Sequence, residues 1–129
     1  VTGFLIFDSP EEMVSAIFGN STGFDHDAGS AYGIHYLALA HRQIGRKMDP
    51  FIIEYTPGPE REFLLHDTEE FFLLLEGELE YCIYDDENRK HLSPGDTVYM
   101  CANVPHRVVL PESCPRARAL VIYSDLPEL

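Results

Sequence analysis

One stretch limits the possible folds more than any other: Leu64-Leu65-His66-Asp67-Thr68-Glu69-Glu70-Phe71-Phe72-Leu73-Leu74-Leu75-Glu76-Gly77. It joins a histidine and a glutamate four residues apart to a short aromatic and leucine run closed by Glu76-Gly77. That spacing would set His66 and Glu70 side by side on a helix. An apolar run this short, ended by Glu-Gly, reads instead as a buried strand entering a hairpin. In one straight strand, residues four apart are separated by roughly 13 Å, too far to grip one ion. A turn at Asp67-Thr68 removes the difficulty: His66 ends one strand, Glu70 starts the next, and the two side chains converge.

Strand and turn signals alternate along the rest of the chain from Ala31 onward. Strands are expected near residues 33–40, 51–56, 62–66, 70–75, 79–84, 90–92, 97–101, 106–110 and 117–123. Between them stand Pro57-Gly58-Pro59, Asp85-Asp86-Glu87-Asn88, Ser93-Pro94-Gly95-Asp96 and Asn103-Val104-Pro105, all rich in turn formers. Many short strands at regular spacing imply an all-β sandwich or barrel. Before them, Ser9-Pro10-Glu11-Glu12 reads as a helix start, with Ser9 as cap and Pro10 at the first helical position. Met13 and Ile17 would form its apolar face, and Gly19-Asn20 would stop it. Residues 20–30 read as a loop. The organisation expected is one domain over residues 1–129, with a short N-terminal helix and loop over 1–30 and the barrel over 31–129.

Within residues 70–75, Glu70, Phe72 and Leu74 share one face and Phe71, Leu73 and Leu75 the other. A strand with one face in water should alternate apolar with polar, and this one does not. Something must cover its outer face: the Met13/Ile17 helix, the first strand or a second subunit. A homodimer is the expectation.

The chain carries 22 acidic against 9 basic residues, a net charge of −13. That balance argues against its gripping nucleic acid or an anionic membrane by itself. No apolar run reaches the length of a membrane span, and no signal peptide is visible. The three cysteines, Cys82, Cys101 and Cys114, form no Cys-x-x-Cys pair. Reduced, mostly buried thiols in a cytoplasmic protein are expected.

A second informative stretch runs from Ser93-Pro94-Gly95-Asp96 through Thr97-Val98-Tyr99-Met100 to Val104-Pro105-His106. It gives a turn, a strand, a second turn and a histidine opening a new strand. Together the two stretches resemble the cupin superfamily over residues 48–123. Its first motif falls on Gly58, His66, Glu70 and Gly77, and its second on Gly95 and His106. There are departures. The first of the motif's two histidines falls on Leu64, and the proline and glycine of the second motif fall on Cys101 and Asn103.

The resemblance implies a double-stranded β-helix, or jelly-roll barrel. It implies a metal held inside by three histidines and a glutamate, of which His66, Glu70 and His106 are kept. Two imidazoles and one carboxylate can hold one face of an octahedral ion such as Fe(II), leaving open positions. They could equally hold zinc with a water as fourth ligand, and nickel or manganese are further choices. The His-x-x-x-Glu…His pattern is similar to the iron site of the epoxidase-like cupins that act on hydroxypropylphosphonate. The alternative is a metal-free barrel that binds a small organic ligand, with His66 and Glu70 hydrogen-bonded to each other. A buried glutamate without a cation is costly, which favours the metal.

Leu64, Tyr55, Tyr99 and Phe72 are the candidates to line the ligand pocket. Arg107 should point away from the His106 side of its strand. Tyr81, on a strand with alternating faces, packs the core or lines the cavity. His26, His35, His41 and His91 read as loop, strand-end or solvated side chains. Arg46-Lys47-Met48-Asp49-Pro50 reads as a solvated loop, with contact to an anionic ligand at the barrel mouth as the alternative.

A closer likeness adds a use for the barrel. Gly45-Arg46-Lys47-Met48-Asp49-Pro50-Phe51, Glu69-Glu70-Phe71, Leu75-Glu76-Gly77-Glu78, residues 92–99 and Pro105-His106 resemble the cupin sensor domain of XRE-type transcriptional regulators. In that family a helix-turn-helix reads DNA and the cupin binds a small effector. No such reader is visible in this sequence. The resemblance therefore implies a small-molecule sensor, with a metal-dependent oxygenase- or epoxidase-like enzyme as the alternative.

Overall fold

The computed structural model describes Glu11 and residues 24–26, 30–40 and 46–124. The helix expected around Met13 and Ile17 lies outside the described residues. Within them the chain forms nine strands: β1 Phe24–His26, β2 Ile34–Ala38, β3 Met48–Tyr55, β4 Glu70–Glu76, β5 Leu79–Ile83, β6 Arg89–Leu92, β7 Thr97–Met100, β8 His106–Val109 and β9 Ala117–Ser124. A single 3-10 turn, Ser30–Tyr32, precedes β2. No helix among the described residues is long and apolar enough to cross a membrane.

All pairings are antiparallel, and they build a six-stranded sheet, β1-β2-β3-β9-β4-β7, and a three-stranded sheet, β6-β5-β8. The inward faces follow the period of two. Phe72 and Leu74 of β4, Ala119 and Val121 of β9 and Ile53 and Tyr55 of β3 are buried from one side. Leu79 and Tyr81 of β5 and Leu92 of β6 meet them from the other, and all belong to one core. The layer between two sheets is thus filled by alternate residues of each strand.

Three expectations need correction. Residues 62–66 do not form a strand. Only Leu64 pairs there, in an isolated bridge to His106, so this segment crosses β8 at one point instead of running beside it. Residues 24–26, read as loop, form β1 along β2. Their sequence has no alternation. The open backbone edge of β2, not side-chain pattern, recruits them. β3 begins three residues early, at Met48, and carries Pro50 in register with Ile122.

On β4, Glu70 points inward and is 4% exposed, while Phe71 and Leu73 on the outer face are half-buried and Leu75 is exposed. The strand ends at Gly77, whose φ of 80° suits glycine, and an added Cβ there would run into the backbone of Arg116 and Ala117.

Candidate metal centre

The His66 loop is pinned between the two sheets. Leu64 N–H donates to His106 O at 2.7 Å and His106 N–H to Leu64 O at 3.0 Å. On its other side, Asn103 N–H donates to His66 O at 2.8 Å, and Asn103 adopts a φ of 61°. Farther along, Ser124 N–H donates to Glu69 O at 3.0 Å and Glu69 N–H to the Ser124 hydroxyl at 2.9 Å. The bend falls at Asp67-Thr68, as the sequence requires. Glu70 then enters β4 on the inward phase, and His106 opens β8 facing it.

Three ligand atoms converge there. His66 Nε2 lies 3.6 Å and His106 Nε2 3.8 Å from Glu70 Oε1, and one ligand atom from each residue lies within 4.8 Å of the others. The two imidazole rings stand edge to face with centroids 4.8 Å apart. Each ring is oriented from behind. His106 Nδ1 donates to Val104 O at 2.8 Å, and His66 Nδ1 meets the Thr68 carbonyl at 3.1 Å and the Thr68 hydroxyl at 3.0 Å. A carbonyl can only accept, so on neutral His106 the proton sits on Nδ1 and the Nε2 lone pair faces Glu70.

The carboxylate is oriented too. The Tyr81 hydroxyl, on β5, donates to Glu70 Oε2 at 2.5 Å, leaving Oε1 for the two imidazoles. Tyr81 and His106 stack with centroids 6.0 Å apart, and Tyr123 of β9 stands 5.5 Å from His66, edge to face.

The electrostatics match this geometry. The Glu70 carboxylate raises the pKa of His66, whereas burial lowers that of His106. Burial, then Glu70, pushes the phenols of Tyr81 and Tyr123 up, and Tyr55 is raised by burial first. All three phenols therefore stay neutral beside an electronegative centre.

The donor set fits a divalent ion. His66 Nε2 is buried and has no hydrogen-bond partner, and 3.6 Å is too long for a hydrogen bond. Two imidazole nitrogens and one carboxylate oxygen, all within 4.8 Å of one another, match what Fe(II), zinc, nickel or manganese accepts.

The other expected residues divide. Leu64, Tyr55 and Phe72 line a small cavity of about 30 Å³ with Glu70 and His106. Tyr99 does not. It is 65% exposed and its hydroxyl donates to Glu69 Oε1 at 2.7 Å. Tyr99 pairs opposite Phe71, so it shares the outer face of β4, and Met100 takes the inward phase. Arg107 pairs with Asp86 and Glu60, yet it also lines that small cavity. His35 is exposed, and His91 is exposed and meets Glu78 at 3.2 Å. His26 lies in β1, Arg46 is held by Asp49 at 2.9 Å, and His41 lies outside the described residues. Cys82 and Cys114 are buried and Cys101 is exposed, all as free thiols.

From the sequence Tyr81 is a core or cavity-lining tyrosine with no link to Glu70, and Thr68 has no part beyond the turn. The alternation of Leu79, Tyr81 and Ile83 marks Tyr81 as inward. Its meeting with Glu70 depends on how the two sheets pack.

An antiparallel barrel with a His-Glu-His cluster between its sheets defines a β-barrel protein with a candidate metal centre. The chain belongs to the cupin family: the cupin domain model matches residues 51–123, more than half of it. No curated protein sequence matches it significantly. Among solved structures it is similar to KdgF from Halomonas sp. (TM-score 0.66, 19% identity, 86% of this chain and 95% of that one). It is similar to an RmlC-like cupin from Shewanella frigidimarina (TM-score 0.65, 19% identity, 87% and 92%). It also resembles Fe(II) HppE (TM-score 0.62, 22% identity, 71% of this chain), spanning only 50% of that chain. At these identities the likeness is one of fold.

Proposed function

We propose that this cupin holds a divalent metal ion on His66, Glu70 and His106 and takes a small molecule at the open side of that ion. The observation that carries the reading is the buried, unpartnered Nε2 of His66, aimed with His106 Nε2 at a single oxygen of Glu70. When bound, such an ion acts as a Lewis acid and, if iron, gives access to oxygen chemistry. The chain's own residues hold the two rings from behind, aim the carboxylate through Tyr81 and wall the site with apolar side chains.

The use we favour is effector binding, of the kind found in the sensor cupins of XRE-type regulators, with DNA read by some other segment or partner. The half-covered apolar face of Phe71, Leu73 and Leu75 supports a homodimer through β4, and the free thiols suit a cytoplasmic protein. A metal-dependent enzyme acting on a small polar substrate is the second reading. It is favoured by a three-residue ligand set that leaves coordination positions open, and by the fold likeness to Fe(II) HppE.

The test is elemental analysis of protein purified without chelators, beside His66→Ala and His106→Ala. About one equivalent of metal per chain is expected in the parent protein, and almost none in either variant, each still showing the β-rich circular dichroism of the parent. Unchanged metal content in both variants would refute the assignment.

A further inference from the structure

Arg61 lies on the segment between β3 and the Leu64 bridge, half-buried. One of its amino groups donates to the Tyr36 hydroxyl at 2.9 Å, and the guanidinium lies 5.6 Å above the Tyr32 ring. Every other described arginine has a carboxylate. Arg46 has Asp49, Arg89 has Glu80 and Asp86, Arg107 has Asp86 and Glu60, and Arg116 and Arg118 share Glu54. Among the described residues Arg61 has none, in a chain with 22 acidic residues. A guanidinium presents five donors in a rigid fork matched to planar oxyanions. One hydroxyl partner leaves most of that fork unused, and holding it partly out of water is costly.

Its position is equally specific. Arg61 lines the inner cavity of about 30 Å³ together with Glu70 and His106. It also lines an outer cavity of about 330 Å³, walled by Tyr32, the Pro57-Gly58-Pro59 turn, Leu110 and Pro111. The inner space holds little more than a water. The outer one reaches the lower end of small-molecule sites.

We propose that Arg61 anchors the acid group of a small organic acid whose body occupies the outer cavity. Glu60 on the same wall faces Arg107 at 3.5 Å, and Glu112 adds a further negative charge. Those two carboxylates oppose a multiply charged ligand and fit one bearing a single carboxylate. The assignment goes beyond the proposed metal centre and does not rest on it.

The test is calorimetric titration with butyrate and with its uncharged analogue butyramide. Parent protein, Arg61→Gln and Arg61→Lys are compared, each both metal-free and zinc-loaded. The parent should favour butyrate by roughly tenfold or more, as charge-assisted hydrogen bonds do. Arg61→Gln should bind the two equally while retaining parental metal content. Arg61→Lys should keep part of the preference. A residue that merely braces Tyr36 would shift melting and leave the butyrate-to-butyramide ratio alone. The proposal is overturned if the parent binds both ligands equally, if it binds neither at millimolar concentration, or if Arg61→Gln keeps the preference. Should Arg61→Gln fail to fold, the parent's ratio and that of Arg61→Lys still decide. A parent that discriminates but never retains metal would sink the metal reading and spare the anchor.

Discussion

Tyr81→Phe removes one oxygen from the centre of the molecule and leaves the packing shape intact. Tyr81 is 2% exposed and sits edge to face with Phe72, 5.3 Å between centroids, so the ring stays where it is. What goes is the 2.5 Å hydrogen bond from its hydroxyl to Glu70 Oε2, which leaves a buried carboxylate oxygen without its donor. Hydrogen bonds to charged groups contribute about 1.5–3 kcal/mol, and no cavity term adds to that. At ~4 °C per kcal/mol for a chain of this size, the metal-free protein should melt ~6–12 °C lower. Urea denaturation gives the free energy directly. The same bond aims Oε1 at the two imidazoles, so metal affinity measured by chelator competition should fall ~10- to 100-fold. A double-mutant cycle sharpens the test. In a Glu70→Gln background the hydroxyl meets a neutral acceptor, and its removal should cost only about 1 kcal/mol. Equal costs in both backgrounds, or a Tyr81→Phe protein as stable as the parent, would show that the hydroxyl does not carry Glu70.

Two further outcomes test the frame around the centre. Leu64 exchanges both backbone hydrogen bonds with His106, which puts the two side chains next to each other on one face. Leu64→His should therefore add a fourth ligand and tighten metal binding in chelator competition, while losing about 1 kcal/mol of apolar burial in the metal-free form; no tightening would mean that this position faces elsewhere. Gly77→Ala forces a side chain into a φ of 80° and against the Arg116 backbone, whereas Gly95, at φ 95°, has open space around it. Alanine should cost roughly 1–2 kcal/mol at Gly95 and clearly more at Gly77, read as the difference in urea midpoints.

The strands were legible wherever a side-chain pattern reports them. β4, β5, β7 and β9 sit within a residue or two of their expected bounds, because apolar runs and the turn residues between them act locally. β1 was not legible, since an exposed sheet edge recruits it. The 62–66 segment misled because its apolar content suggests a strand while its backbone finds a partner only at Leu64. Tyr99 was misplaced for a related reason. Period two gives two faces, and only pairing with Phe71 tells which is outside.

By itself the chain of letters determined the barrel class and the break at Asp67-Thr68 that lets His66 and Glu70 converge. Both follow from local rules: periodicity, turn chemistry and the reach of a strand. His106 joined them only through the motif that resembles the cupins. Tertiary structure alone decided what stands around them. That Tyr81 crosses from the smaller sheet to Glu70, that Leu64 bridges to His106, and that Arg61 meets Tyr36 and, among the described residues, no carboxylate are facts about residues distant in sequence. Sheet packing brings such groups together, and no short-range pattern encodes which of them will touch.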